Sequence, residues 1–181
     1  IDVVGYPVKK CKPEELDINL DHDFNFLVVS QWGIRKNIEN TIIWFLEEFK
    51  NDEVGLVLKV NIMNNSTIDK FKTNERLKAL LKVHKDRKCK IYLIHGDMSE
   101  QELAGLYVHP KIKALINIAH GEGFGLPIFE AAYSELPVVV CSWSGQVDYL
   151  YAPKKNKKTR KSIMQPHFAS VEYKIAQIQK E

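Results

Sequence analysis

Two glutamates separated by seven residues frame the stretch of the chain with the clearest chemistry. Glu122 lies in a glycine-rich turn, and Glu130 lies about one turn inside the segment that follows. Carboxylates accept hydrogen bonds from hydroxyl groups, such as those of a sugar or a ribose. Gly123 and Gly125 allow a close approach of the backbone, and the free N–H groups of a helix start favour an anion. The stretch therefore indicates a site for a ligand that carries both phosphate and polyol.

The turn is expected to join a strand to a helix. The apolar run from Ala114 to Ala119 predicts a buried strand. Pro127 is placed where the first turn of a helix tolerates its missing N–H and its fixed φ. The glycines between these two elements would then bring free amides to the carboxyl end of the strand.

The rest of the chain predicts alternating strands and helices. We expect strands over 24–30, 54–60, 90–96, 114–120 and 137–141. Near-continuous apolar strands at βαβ spacing are typical of an α/β fold with a Rossmann-like parallel sheet and helices on both faces. Ligands bind outside the carboxyl ends of such strands. Because the turns 30–37, 96–99, 120–126 and 142–148 all follow strands, we expect them to share one site.

Helix starts are predicted from capping residues and apolar spacing. Asn37 is a candidate cap for a helix with apolar residues at 38, 42, 45, 46 and 49. Ser66 with Asp69 predicts a helix through about Val83, and Ser99 with Glu102 forms a capping box.

The stretch Glu122-Gly-Phe-Gly-Leu-Pro-Ile-Phe-Glu130 resembles the Glu-x7-Glu motif of retaining glycosyltransferases of family 4, which have the GT-B fold. Enzymes of this fold have two Rossmann-like domains and bind the donor in the C-terminal one. The resemblance covers about residues 24–150 and implies a donor-binding domain for a nucleoside-diphosphate sugar, with UDP and GDP as candidate carriers. It also implies an acceptor domain upstream of Ile1, for a glycan, lipid or protein acceptor, and further chain after Glu181, so the isolated domain is expected to be inactive or nearly so.

The resemblance implies roles for individual residues. In the family, the turn after the first strand carries an Arg and, five residues on, a Lys that bind the donor's diphosphate. Lys36 matches the Lys, whereas Gln31 occupies the Arg position and Arg35 is a candidate for the missing charge. The implied role of Glu122 is to hold sugar hydroxyls, and that of Glu130 is to hold ribose hydroxyls. Together with the amides around Phe124, the cations would stabilise the leaving diphosphate.

Three further turns complete the expected site. Gly96, Asp97 and Met98 are at the turn that lies against the nucleotide base in the family, although a plain strand–helix turn is the alternative. His120 either donates a hydrogen bond to phosphate or sugar or is structural. The segment 142–148 resembles the family's Gly-Gly-x-x-Glu turn, with Ser144 and Asp148 as replacements.

Composition and charge exclude several other classes. The chain of 181 residues has no apolar run long enough to span a membrane, and its three cysteines lack metal-type spacing, so we expect a cytoplasmic location. The resemblance implies no metal or other cofactor, and Asp21-His22-Asp23 is expected to be solvated.

Six basic residues within 154–161 account for the positive net charge, since the remainder has 20 basic and 23 acidic residues. We expect this run to form a solvated loop, and we expect no nucleic-acid partner.

The expected organisation is a linker over 1–23, the nucleotide-sugar-binding domain over 24–150, and a basic loop with a C-terminal segment over 151–181. Phe168–Tyr173 is a candidate for a short apolar element that packs back on the domain.

Two other functions remain open. One is a dinucleotide-dependent oxidoreductase, because the glycines at 121, 123 and 125 partly match a glycine-rich dinucleotide-binding sequence, although their spacing differs from G-x-G-x-x-G. A non-catalytic nucleotide-sugar-binding module is favoured by Gln31.

Overall fold

A parallel sheet is the centre of the molecule in a computed structural model, which describes residues 9–155 and 160–176. Its strands are β1 (Asn25–Gln31), β2 (Gly55–Asn61), β3 (Lys90–Ile94), β4 (Ile112–Asn117), β5 (Val138–Cys141) and β8 (Ala169–Val171). Within the described residues their order is β3-β2-β1-β4-β5-β8, and each neighbouring pair is parallel. The fold is therefore the Rossmann-like α/β sheet that the sequence predicted.

Helices cover both faces of the sheet. They are α1 (Ile38–Phe49), α2 (Thr67–Leu81), α3 (Glu100–Val108), α4 (Leu126–Tyr133) and the single-turn α5 (Val147–Leu150), and a short 3-10 helix (Ile34–Lys36) precedes α1. Helices α3 and α4 pack on one face of the sheet, with Leu106 and Ile128 fully buried. Helices α1 and α2 pack on the other face, where Ile42 is fully buried and Leu77 is nearly so. Because these helices are packed on the sheet, the turns that join them to the carboxyl ends of the strands have fixed positions.

The strand order places a crevice beside β1. Strand β1 pairs with β2 on one side and with β4 on the other, so the chain reverses its direction of travel across the sheet at this point. In open α/β sheets the ligand binds outside the carboxyl ends of the strands at such a reversal. The turns after β1 and β4 are therefore the ones that the topology brings together.

Predicted capping is confirmed at two of three helices. Ser66 accepts a hydrogen bond from the Asp69 N–H at the start of α2, and Ser99 with Glu102 forms the full capping box of α3. The prediction for Asn37 is wrong. Asn37 adopts the left-handed conformation with φ of 56° and makes no side-chain cap; its Oδ1, the atom that a cap would use, instead accepts from Asn40 Nδ2 at 2.7 Å, and its Nδ2 donates to the Ile118 carbonyl.

Two residues of the basic run differ from their prediction as a loop, whereas Arg160 and Lys161 lie outside any strand or helix, as predicted. Strands β6 (Tyr151–Lys155) and β7 (Ser162–Pro166) pair in an antiparallel hairpin, so Lys154 and Lys155 lie in a strand. Residues 156–159 lie outside the described residues. Beyond the hairpin, Phe168 packs on the core and β8 pairs with β5, as predicted for this segment.

The first described residues pack on the domain more closely than the sequence indicated. The Glu14 N–H donates to the Gln101 carbonyl, and the Leu20 side chain is buried in the same core as Leu106. Residues 1–8 of the predicted linker lie outside the described residues. No helix in the described part of the chain is long and apolar enough to cross a membrane.

Candidate functional site

The turns after β1 and β4 meet through an ion pair. Lys36 Nζ lies 2.6 Å from Oε1 and 2.7 Å from Oε2 of Glu122, and the guanidinium of Arg35 lies 3.4 Å from Oε2. The Arg35 guanidinium also donates to the carbonyl of Gly121, and the backbone N–H of His120 donates to the Arg35 carbonyl. These contacts bring three predicted site residues to one point, at the crevice that the topology defines.

The Glu122 carboxylate is buried and strongly held. Its side chain is 7% exposed, that of Lys36 is 18% exposed, and Asn117 at the end of β4 donates to Oε1 at 3.1 Å. Burial alone would raise the pKa of Glu122, but the hydrogen bonds from Lys36 and Asn117 and the charges of Lys36 and Arg35 hold this pKa below its ordinary value. The carboxylate is therefore ionised at neutral pH, and the three charged groups together carry a net charge of +1.

The turn after β5 supports the backbone of Glu122. Ser144 Oγ accepts from the Glu122 N–H at 2.8 Å and donates to its carbonyl at 2.6 Å. Ser144 has a φ of 80°, which is a conformation that favours glycine, and glycine is the residue in the resembled turn. A Cβ on Gly145 would lie 1.8 Å from the Gly123 carbonyl oxygen, so the two turns contact each other directly.

The start of α4 is held by an aromatic cluster. Gly125 has a φ of 79°, and the Tyr149 hydroxyl, at 2.9 Å from each, lies against the carbonyls of Phe124 and Gly125. The Phe124 ring packs on Phe129 and Tyr149 at centroid distances of 5.4 and 5.0 Å. Pro127 lies in the first turn of α4, as the sequence predicted. The glycine-rich turn is thus shaped from both sides before any ligand binds.

The second glutamate has a different partner. Tyr107 in α3 donates its hydroxyl to Glu130 Oε2 at 2.9 Å, and Tyr107 is buried. Burial raises the pKa of Glu130 and the hydrogen bond from Tyr107 opposes that rise. Glu130 therefore differs electrostatically from Glu122, since no cation neutralises it among its described hydrogen-bond and ion-pair contacts.

A cleft of about 300 Å³ lies at the carboxyl ends of β1 and β2. Among the predicted site residues, Gln31, Gly96 and Met98 line it. Pro127 also lines it, which joins the cleft to the start of α4. The structure therefore places the predicted base turn and the first turn of α4 around one space. The side chain of His120 is exposed beside this region, and its backbone supplies the contact to Arg35.

Several residues of the site were missed from the sequence. They are Lys59 in the cleft, Asn117 on Glu122, Tyr107 on Glu130 and Tyr149 under the glycine-rich turn. Only Lys59 carried a local signal, because a lysine interrupts the apolar strand Gly-Leu-Val-Leu-Lys-Val. Tyr107 and Tyr149 depend on contacts between segments that are distant in the sequence, whereas Asn117 is five residues from Glu122.

A buried carboxylate anchors the turn after β2. Asp69 accepts hydrogen bonds from the backbone N–H groups of 62, 63 and 64 and from the hydroxyl of Thr73, and His95 Nε2 lies 2.8 Å from its Oδ1. Burial would raise the pKa of Asp69, but His95 and the three N–H groups hold it far below its ordinary value. This network fixes the loop that borders the cleft.

No three His, Cys, Asp or Glu side chains cluster to hold a metal ion within 9–155 and 160–176. The carboxylates of the Asp-x-Asp sequence are paired separately, Asp21 with Lys90 at 3.5 Å and Asp23 with Lys111 at 3.2 Å. The absence of a required cofactor stays a prediction.

Comparisons with known proteins agree with this architecture. No family model matches the chain. Over 119 residues the chain is 40% identical to one serotype-specific mannosyltransferase WbdA of Escherichia coli and 31% identical to another. The chain spans 13% of the length of these relatives, and the match covers 64% of the chain.

Solved structures show the same fold. The C-terminal domain of a glycosyl transferase group 1 family protein from Francisella tularensis matches with a TM-score of 0.52 and 18% identity, over 75% of this chain and 66% of that one. Sucrose-phosphate synthase from Thermosynechococcus elongatus matches with a TM-score of 0.55 and 20% identity, over 77% of this chain and 34% of that one. A trehalose-6-phosphate structure from Escherichia coli, bound with UDP-2-fluoro glucose, matches with a TM-score of 0.53 and 11% identity, over 72% of this chain and 32% of that one. The chain is a glycosyltransferase-like domain with the Rossmann-like α/β fold of one half of a GT-B glycosyltransferase.

Proposed function

We propose that this domain binds the nucleoside diphosphate of an activated sugar and forms the donor half of a glycosyltransferase. The observation that carries the proposal is the convergence of Lys36 and Arg35 on Glu122 at the crevice beside β1. A carboxylate alone would repel phosphate, but here two cations compensate it and leave a net positive site. Cations beside free backbone amides are suited to a diphosphate.

The proposed roles follow the positions of the side chains. Lys36 and Arg35 bind the diphosphate together with the amides of the glycine-rich turn, and Glu122 accepts hydrogen bonds from the sugar hydroxyls. Glu130, held by Tyr107, accepts them from the ribose. The cleft lined by Gln31, Gly96 and Met98 takes the base. A ligand in this arrangement runs from the turn after β4 to the end of β2.

The proposed reaction breaks the bond between the anomeric carbon and the diphosphate oxygen. An acceptor hydroxyl oxygen bonds to the anomeric carbon, the electron pair of the broken bond leaves on the diphosphate, and the hydroxyl proton passes to an oxygen of that departing diphosphate. The cations stabilise that growing charge. Similarity to the family supports retention of configuration, and similarity to the mannosyltransferases supports a hexosyl donor such as a mannosyl nucleotide. A neighbouring solved structure with UDP-2-fluoro glucose supports a nucleotide sugar as the ligand.

The acceptor is proposed to bind on a second domain, since the chain spans only 13% of the length of its mannosyltransferase relatives. A non-catalytic binding module is the alternative. It is favoured by Gln31, an uncharged side chain at the end of β1 where the resembled family has an arginine.

Calorimetric titration of the domain with UDP, GDP and ADP and their sugar conjugates tests the proposal. We expect one nucleotide to bind selectively and both Lys36→Ala and Glu130→Ala to weaken it at least about tenfold. Lys82→Ala, a substitution in the cap region of α2 away from the crevice, is the control and should not change the affinity. Absence of binding at millimolar nucleotide would contradict the proposal. Transfer assays on a protein that includes the acceptor domain separate the enzyme from the binding module.

A further inference from the structure

A lysine lies on an inner strand of the sheet, where apolar residues are the rule. Lys59 is in β2, in register with Val29 of β1 on one side and with Ile94 of β3 on the other. Strands of parallel sheets that are covered on both faces are normally apolar throughout. The side chain is half-buried and lines the cleft at the carboxyl ends of β1 and β2. Packing of the sheet does not explain a charged side chain at this position, so we looked for a ligand-binding role.

The ammonium of Lys59 has one hydrogen-bond acceptor among the described residues. It donates to the carbonyl of Gly96, in the turn after β3. An ammonium has three N–H donors, so two remain for a ligand in the cleft. Burial lowers the pKa of Lys59, and the carboxylates of Asp97 and Glu102 act against that shift. These two carboxylates provide charge compensation without taking up the remaining donors.

The same cleft has the surfaces that a flat heterocycle needs. Met98, Leu103 and Pro127 supply apolar contacts, and Asn61 and Asn65 add polar groups at its border. Apolar and polar groups contribute about equally to the walls of this cleft, so it suits a ligand that combines an apolar face with hydrogen-bonding edges. Gly96 has a φ of 118°, and a Cβ added there would meet nothing within 4 Å, so the turn is open on this side.

We propose that Lys59 reads the nucleobase of the donor and selects a base with a ring carbonyl, guanine or uracil, over adenine. This inference rests on the proposed function, since it assigns the base end of the same ligand. A lysine ammonium donates and never accepts. Guanine presents O6 and uracil presents O4 as an acceptor, whereas adenine presents its N6 amino group as a donor at the corresponding position; N7 is an acceptor in both purines and does not discriminate. An amino group in front of Lys59 would face a second donor.

The position of Lys59 favours the base over the phosphates as its ligand. The carboxylates of Asp97 and Glu102 act on Lys59, and their negative charge disfavours a diphosphate at this end of the cleft. Cations for the diphosphate are already present in the turn after β1, where Lys36 and Arg35 meet Glu122. A neutral carbonyl oxygen carries no charge that these carboxylates would repel.

Two matched pairs of ligands test the proposal on the unmodified chain. IDP and ADP differ at the six position, keto against amino, and UDP and CDP differ in the same way at the four position. By calorimetry we expect the keto member of the tighter pair to bind at least about tenfold more strongly. Lys59→Met, which keeps a long apolar side chain, should reduce that ratio to about twofold or less.

Companion variants separate this inference from the proposed function. Lys36→Met should weaken both members of a pair equally and keep their ratio. If Lys59→Met fails to fold by thermal melting, Lys59→Arg, whose guanidinium also donates and never accepts, should retain part of the preference. Equal affinity for keto and amino bases in the unmodified chain, or tighter binding of the amino base, would overturn the role of Lys59 alone. An equal loss for all four ligands in Lys59→Met would assign it to phosphate. No binding of any ligand would overturn both proposals.

Discussion

Lys36 Nζ contacts both carboxylate oxygens of Glu122, at 2.6 and 2.7 Å, and so joins the turn after β1 to the turn after β4. The pair places a cation and an anion at the crevice with their geometry set by the protein itself. The Ser144 hydroxyl holds the backbone of Glu122 on one side and Asn117 holds its carboxylate on the other. A diphosphate and a sugar would therefore meet preformed partners.

This pairing predicts a specific double-variant result. Lys36→Met should weaken binding of a nucleoside diphosphate by more than about tenfold, because it removes a cation and leaves the Glu122 charge beside the phosphates. Adding Glu122→Gln to that variant should restore part of the affinity, since the uncompensated carboxylate is then gone. Calorimetry on the four proteins of the cycle measures both effects.

Glu48→Gln, an exposed carboxylate on α1, is the matched control and should leave the affinity unchanged. Strictly additive losses in the double variant would contradict a direct coupling of Lys36 and Glu122.

The affinity for a nucleotide should fall at acidic pH through Glu130. Burial raises the pKa of Glu130 above its ordinary value, and protonation removes an acceptor for the ribose hydroxyls. The Tyr107 hydroxyl opposes that rise, so Tyr107→Phe should move the loss of affinity to higher pH. Titrations between about pH 4.5 and 8 measure the midpoint. Tyr133→Phe changes an exposed hydroxyl on α4 and is the control. Identical pH profiles for Tyr107→Phe and the unmodified chain would refute the positioning role of Tyr107.

Asp69 should be a principal determinant of stability at the turn after β2. Asp69→Asn replaces one acceptor oxygen by an amide group that faces backbone N–H donors, so we expect a loss of about 2–4 kcal/mol in the free energy of unfolding. Chemical denaturation measures this loss. Because the pKa of Asp69 is depressed in the folded state, its contribution is present above the unfolded pKa of about 3.9 and disappears as the pH falls. The variant should therefore lose less stability than the unmodified chain between about pH 5 and pH 2. A parallel decline in the two proteins would argue against this role.

The contact between the two glycine-containing turns gives a further prediction. A Cβ on Gly145 would lie 1.8 Å from the Gly123 carbonyl oxygen, and backbone must move to admit it. Gly145→Ala should therefore destabilise the domain by about 1–3 kcal/mol and weaken nucleotide binding. Gly33→Ala is matched to it, because a Cβ there meets nothing within 4 Å. Thermal melting measures the stability of both variants and calorimetry measures their nucleotide affinity. Equal stability and equal affinity of the two variants would contradict the prediction.

Local signals in the sequence predicted much of this fold. The capping box of Ser99 and Glu102 and the cap at Ser66 depend on residues three apart, and both are present. The apolar runs predicted five strands to within a few residues at each end. Asn37 is not a side-chain cap: its backbone is left-handed and its Oδ1 accepts from Asn40, while its Nδ2 donates to Ile118, 81 residues away, a contact that neighbouring positions do not indicate.

The partners of the site residues also depend on tertiary contacts and could not be predicted from the sequence. The spacing of Glu122 and Glu130 indicated that both belong to one turn and helix, but it did not indicate their different partners. Lys36 and Asn117 compensate Glu122, whereas Tyr107 binds Glu130. The basic run was expected as a loop because its charges dominate its composition, and the pairing of β6 with β7 corrects this for Lys154 and Lys155.

The central claim is that a nucleoside diphosphate binds at the carboxyl edge of the sheet, and backbone amide chemical shifts measure this most directly. A nitrogen–proton correlation spectrum of the labelled chain, titrated with UDP or GDP, reports every amide near the ligand. We predict saturable shifts in the turns 31–37, 96–99 and 120–125 and small changes at the opposite ends of the strands, near 50–54 and 109–111. Shifts confined to that opposite edge, or no shifts at millimolar nucleotide, would contradict the account.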